Sequence, residues 1–160
     1  ALFDTVRYPV GKLHEDEFVI HRLLLQCSRV ACVSRPLYFY LRRSSSIMGT
    51  TYSLRRLDGA EANLDRASLF LSQAMPSHSA YHACSVALLV MANSYTHLDI
   101  RSPQYQERYR ELCAQYRPIA RQLMGTKLPL VYKARLCLNS ISPYYTWKLL
   151  ERFLRRGGEQ

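Results

Sequence analysis

Three consecutive acids, Glu15, Asp16 and Glu17, follow His14 in a chain whose formal charge is +10. A carboxylate in the first turn of a helix can serve as a general base when a substrate hydroxyl comes within hydrogen-bond reach. The positive end of a helix dipole attracts the same acids, by about 0.3–1 kcal/mol for exposed groups. The sequence by itself leaves both readings open. A second group, Arg42, Arg43 and Ser46, closes an aromatic run that contains Tyr38, Phe39 and Tyr40. Two guanidinium groups and a hydroxyl can hold a phosphate through charge-assisted hydrogen bonds. They can equally be a solvated strand end.

The third group is basic and aromatic. Residues 127–156 carry seven Lys/Arg against one acid, a net +6, interleaved with Tyr132, Tyr144, Tyr145, Trp147 and Phe153. In the last helix predicted, Trp147, Leu150, Phe153 and Leu154 share one face, and Lys148, Arg152 and Arg155 lie towards the other. That pattern suits a helix lying on an anionic membrane, with Trp147, Lys148, Arg152 and Arg155 as membrane-facing candidates. It also suits a helix packing its apolar stripe on a bundle. His78 and His82 are four residues apart, but the sequence places no acid or cysteine with them, so no metal site is assigned.

The elements that must position these groups follow from periodicity. Residues 15–26 carry Phe18, Val19, Leu23 and Leu24 at helical spacing. Two short strands are expected next, at 30–33 and 37–42, divided by the Arg35-Pro36 turn. Two strands are not stable alone, and the chain offers no convincing third, which points to a remnant of a larger α/β domain. After a polar loop, Ser53 is the expected N-cap of an amphipathic helix with Leu54, Leu57, Ala60, Leu64, Ala67 and Leu71 on one face. An uncharged helix over 79–97 follows Pro76-Ser77. A third long helix starts at Ser102-Pro103 and stops at Gly125, with Pro118 expected to kink or divide it. Two shorter helices, 130–139 and 144–155, complete the chain. The fold class is thus mainly α: a helical bundle preceded by a short α/β remnant of one helix and two strands. The boundary falls between residues 1–52 and 53–160.

Composition bounds the rest. At 160 residues, with 48% hydrophobic and 21% charged residues, the chain is globular. Its basic balance fits phosphate-bearing ligands, nucleic acid or an anionic membrane surface. No helix-turn-helix or RNA-binding signature appears, so nucleic acid is not expected. The longest uncharged run has an apolar centre only from Ala87 to Ala92, far short of the ~20 residues of a membrane span. Five cysteines without a CxxC pair read as reduced core residues of a cytoplasmic protein.

The order Phe3-Asp4-Thr5-Val6-Arg7-Tyr8-Pro9-Val10-Gly11-Lys12-Leu13-His14-Glu15-Asp16-Glu17-Phe18, then Pro36-Leu37-Tyr38-Phe39-Tyr40, then Arg43 and Ser46-Ile47-Met48, resembles the C-terminal part of bacterial family 2 glycosyltransferases of GT-A type. These enzymes build capsule and exopolysaccharide. The resemblance spans about residues 2–72. It implies that residues 1–52 are the end of a GT-A catalytic domain, and that Asp16 is the catalytic base beside Glu15, with His14, Arg42, Arg43 and Ser46 binding substrate. Leu41 stands where members of that family often carry an arginine. The implied reaction is inverting transfer from a nucleotide-sugar donor to a saccharide or lipid-linked acceptor, at the inner face of the cell membrane. No Asp-x-Asp motif occurs, so the Mg2+ or Mn2+ of such enzymes is expected to belong to a nucleotide-binding half that this stretch lacks, and the 160-residue chain is expected to be inactive alone. The competing class is a basic helical binding or scaffold module without catalysis.

Overall fold

The computed structural model describes residues 2–39, 41, 52–146, 148 and 149. Among the described residues the fold is carried by α1 (Glu15–Leu24), α2 (Asp58–Ser72), α3 (Ser77–His97), α4 (Pro103–Met124) and α5 (Leu130–Ile141). A 3-10 turn, Leu54–Leu57, leads into α2.

The centre of the molecule is the α2–α3 pair. Its contact faces are built from small residues: Ala60 and Ala67 on α2 meet a surface of Ala80, Ala83, Cys84 and Ala87 on α3, all buried. Small side chains bring helix axes together at the short end of the usual 8–10 Å range. Leu57, Leu64 and Met91 fill the remaining space. Helix α4 lays Tyr105, Leu112, Tyr116, Ile119 and Leu123 against this pair. Their spacing, by threes, fours and sevens, is that of one helical stripe. Helix α5 is fastened by the buried Tyr116 hydroxyl, which donates to the carbonyl of Leu136 (3.0 Å). Tyr132 stacks on Tyr81 with ring centres 4.4 Å apart.

Several expectations change. Residues 30–33 and 37–39 form no strand, and no strand occurs among the described residues. Residues 28–39 are irregular and exposed throughout, with Phe39 at 97% of its full exposure. A strand exists only through the ladder it shares with another, and no described residue supplies one. Pro118 does not divide α4, which runs unbroken from Pro103 to Met124. The proline is exposed, as is Ala114 one turn earlier, so the carbonyl that loses its partner faces water. Ser53 makes no side-chain cap, because the 3-10 turn intervenes, whereas the Ser102 hydroxyl accepts from the Tyr105 amide (3.3 Å). All five thiols are free, but only Cys84 is in the core, with Cys32 and Cys137 exposed. Of the last predicted helix, residues 144–146, 148 and 149 are helical and the rest lies outside the described residues.

Candidate functional site

The acidic stretch opens α1. Its lead-in turn is held from three directions. Gly11 takes a positive φ of 78°, and its carbonyl accepts from Nη2 of Arg55 (2.9 Å). Lys12 donates to Glu61 (2.6 Å) and lies 3.5 Å from Asp58. The Leu13 amide donates to the Asp58 carboxylate (3.1 Å). His14 then adopts the left-handed conformation (φ 57°, ψ 44°), a backbone state that is strained for most side chains. Its carbonyl accepts from the Glu17 amide (3.0 Å). Its ring packs beside Gly59, where an added Cβ would stand 3.5 Å from Cδ2.

Behind this turn Arg108 of α4 donates to Asp58 (3.0 Å), to Glu61 and to Glu111 (3.0 Å). Partial burial opposes ionisation of Glu61, but its hydrogen bonds from Lys12 and Arg108 outweigh that and hold its carboxyl below the ordinary 4.5. Along α1, Glu17 takes Nη2 of Arg66 at 2.6 Å. Arg22 grips both oxygens of Asp65 (2.7 and 2.6 Å), and the buried His21 ring lies 3.5 Å from Asp65. Asp65 is likewise lowered, with desolvation outweighed by the His21 ring beside it and the hydrogen bonds from Arg22.

Adjacent acids therefore have different fates. Glu17, His21 and Arg22 meet side chains of α2, while Asp16, Ile20 and Leu24, at four-residue spacing, are exposed. Asp16 and Glu15 are exposed and form no ion pair with another described residue. An open groove of about 1070 Å³ runs between the lead-in segment, α1, α2 and α4. It takes Phe18, Arg22, Leu25 and Gln26 from α1, so Asp16 lies across the helix from it. His14 stands with Glu15 and Asp16 at the helix start. Arg42, Arg43, Ser46, Trp147, Arg152 and Arg155 lie outside the described residues, and Lys148 is exposed, its ammonium 5.5 Å from the Tyr144 ring centre.

The clamp of Lys12, Asp58, Glu61 and Arg108 was not read from the sequence. One signal was there: Asp58, Glu61 and Asp65 repeat at helical spacing, an acidic row on the helix whose other face is apolar. Among the described residues no three His, Cys, Asp or Glu side chains come together to hold a metal ion. No described helix is long and apolar enough to cross a membrane.

The chain is partly similar to a glycosyltransferase. Over 53 residues it is 40% identical to glycosyltransferase GlyG of Streptococcus pneumoniae serotype 4 (strain ATCC BAA-334 / TIGR4). That stretch is 33% of this chain and 18% of the relative, so the similarity covers under a fifth of the curated protein. No family model matches the chain. No solved structure matches it either. The partial similarity supports a glycosyltransferase relationship at that coarse level.

Proposed function

We propose that the chain is the C-terminal part of an inverting, GT-A type glycosyltransferase of cell-surface polysaccharide synthesis, with residues 1–52 closing the catalytic domain and 53–160 forming a helical domain. The observation that carries this reading is Asp16: an exposed carboxylate with no described counter-ion, on a helix whose lead-in turn is clamped to α2 and α4. Such a group is positioned without being neutralised, as a general base must be. In this reading Asp16 accepts the proton of an acceptor hydroxyl. The hydroxyl oxygen forms a bond to the anomeric carbon of a nucleotide sugar as the bond to the diphosphate breaks and its electron pair leaves with the diphosphate. His14 and Glu15 border the acceptor, and Arg42, Arg43 and Ser46 meet the leaving diphosphate. The enzyme works at the inner face of the cell membrane on a saccharide or lipid-linked acceptor.

The test is Asp16→Asn in the full-length enzyme, with product formation and folding followed side by side. Transfer is lost and the thermal unfolding curve is unchanged. Full turnover by Asp16→Asn overturns the assignment. The purified 160-residue chain shows no donor hydrolysis, and measurable hydrolysis would overturn the division of labour.

A further inference from the structure

Helix α5 has one face in the bundle and one that stands exposed among the described residues. Leu136 and Asn139 are buried, and Tyr132 stacks on Tyr81. Leu130, Val131, Ala134, Cys137, Leu138 and Ile141 are all exposed. Leu130 keeps 85%, Val131 68% and Ile141 83% of their full exposure. At 3.6 residues per turn these six positions fall in one sector of about 120°. Scattered apolar residues on a surface need no explanation, but a continuous row does. Tyr145 and Leu149 in the next helical turns are also exposed.

The charge around the row decides what covers it. Lys133 and Arg135 flank the sector on its two sides by helical position, and Lys127 precedes it. From Leu112 to Leu150 the chain carries six Lys/Arg and no Asp or Glu. No described acid pairs with Lys127, Lys133, Arg135 or Lys148. A second copy of the chain would bring like charge against like charge. A nucleic acid would leave the leucines and isoleucine in water. An anionic lipid surface satisfies both features, taking the apolar row into the acyl boundary and the lysines at its headgroups.

We infer that the outer face of α5, centred on Leu130, Ala134, Leu138 and Ile141, is a docking surface for an anionic lipid bilayer. It deepens the membrane part of the proposed function and moves the contact from the 147–155 segment to α5. The assay contains no sugar, so its failure leaves the transfer reading standing, and loss of transfer by Asp16→Asn says nothing about docking.

The experiment is sedimentation of the chain with vesicles of phosphatidylcholine, with and without phosphatidylglycerol. The chain pellets with the phosphatidylglycerol vesicles, stays in the supernatant with phosphatidylcholine alone, and is released by salt. Leu138→Asp combined with Ile141→Asp lowers the bound fraction about tenfold, the scale expected when two apolar anchors become acids at an interface. A triple change of Trp147→Ala, Arg152→Glu and Arg155→Glu costs less than the α5 pair. Independently, Ile141→Trp in a Trp147→Phe background shows a blue-shifted emission on the anionic vesicles, with the α5 row otherwise intact. Recovery of the unaltered chain in the supernatant of both vesicle types overturns the inference. So does full binding by the α5 pair alongside lost binding by the triple variant, an unshifted emission from the Ile141→Trp variant, or a dimer in solution that the α5 pair dissolves.

Discussion

Asp16 and Asp58 are both acids close to the same turn, and they differ in what they touch. Asp16 is exposed with no described partner, whereas Asp58 is buried and accepts from the Leu13 amide and from Arg108. Removing the Asp58 carboxylate leaves the Arg108 guanidinium and the Leu13 amide without that partner in a half-buried setting. Unsatisfied groups of this kind cost about 1–3 kcal/mol each, more when charged. Asp58→Ala is therefore expected to lower unfolding free energy by about 2 kcal/mol, and Asp16→Asn to leave it within about 0.5 kcal/mol. Urea unfolding of the 160-residue chain reads both. Equal losses would mean that Asp16 is part of the clamp and not a free carboxylate.

At the scale of elements, α1 depends on ion pairs more than on a core. Its buried residues are Val19 and His21, and its links to α2 run through Glu17–Arg66 and Arg22–Asp65, with Lys12–Glu61 at its lead-in. Glu61 and Asp65 both titrate below their ordinary values of 4.5 and 3.8 in the folded chain. A lowered folded value means the unfolded state takes up protons first, so stability is fully present above those ordinary values. It is lost as pH falls through the lower folded values. As pH falls below those ordinary values, amides of α1 are expected to lose hydrogen-exchange protection before those of α3 do, since local openings follow the least supported element. Equal loss in α1 and α3 would contradict an ion-pair docking.

The same scale shows what the sequence could and could not carry. Helices α2 and α4 were legible because their leucines, alanines and tyrosines repeat at helical spacing, α3 was legible as an uncharged run, and the break residues Pro76, Ser102-Pro103 and Gly125 mark their ends. The strands were misread because Val30 to Val33 and Leu37 to Phe39 carry β-type residues, but a ladder needs a partner that no local pattern reports. Asp16 was legible as a first-turn acid. That Glu17, one residue on, would be taken by Arg66 was not, because a contact 49 residues away leaves no local trace.

For the whole molecule, the free thiols report how cooperatively the bundle opens. Cys84 sits at 0% exposure between α2 and α3, in the cluster that also takes in α4. Burial pushes its thiol up to about 12. Thiolate is the reactive form, so at neutral pH this cysteine is protected by access and by protonation together. Cys32 and Cys137 are exposed, and Cys113 is half-buried with its thiol raised by desolvation. With an aromatic disulfide reagent at pH 7, Cys32 and Cys137 are expected to react first. Cys84 is expected to react only at the rate of global opening, because it is fully buried in the cluster that joins α2, α3 and α4. Urea below the unfolding midpoint then accelerates Cys84, while the exposed Cys32 and Cys137 change little. The exposed α5 row makes no part of that core, so Leu138→Asp with Ile141→Asp leaves the Cys84 rate unchanged while lowering vesicle binding. Labelling of Cys84 as fast as Cys32 without urea would show that the bundle opens locally at its centre, and would remove the rigid platform that holds both the α1 clamp and the α5 surface.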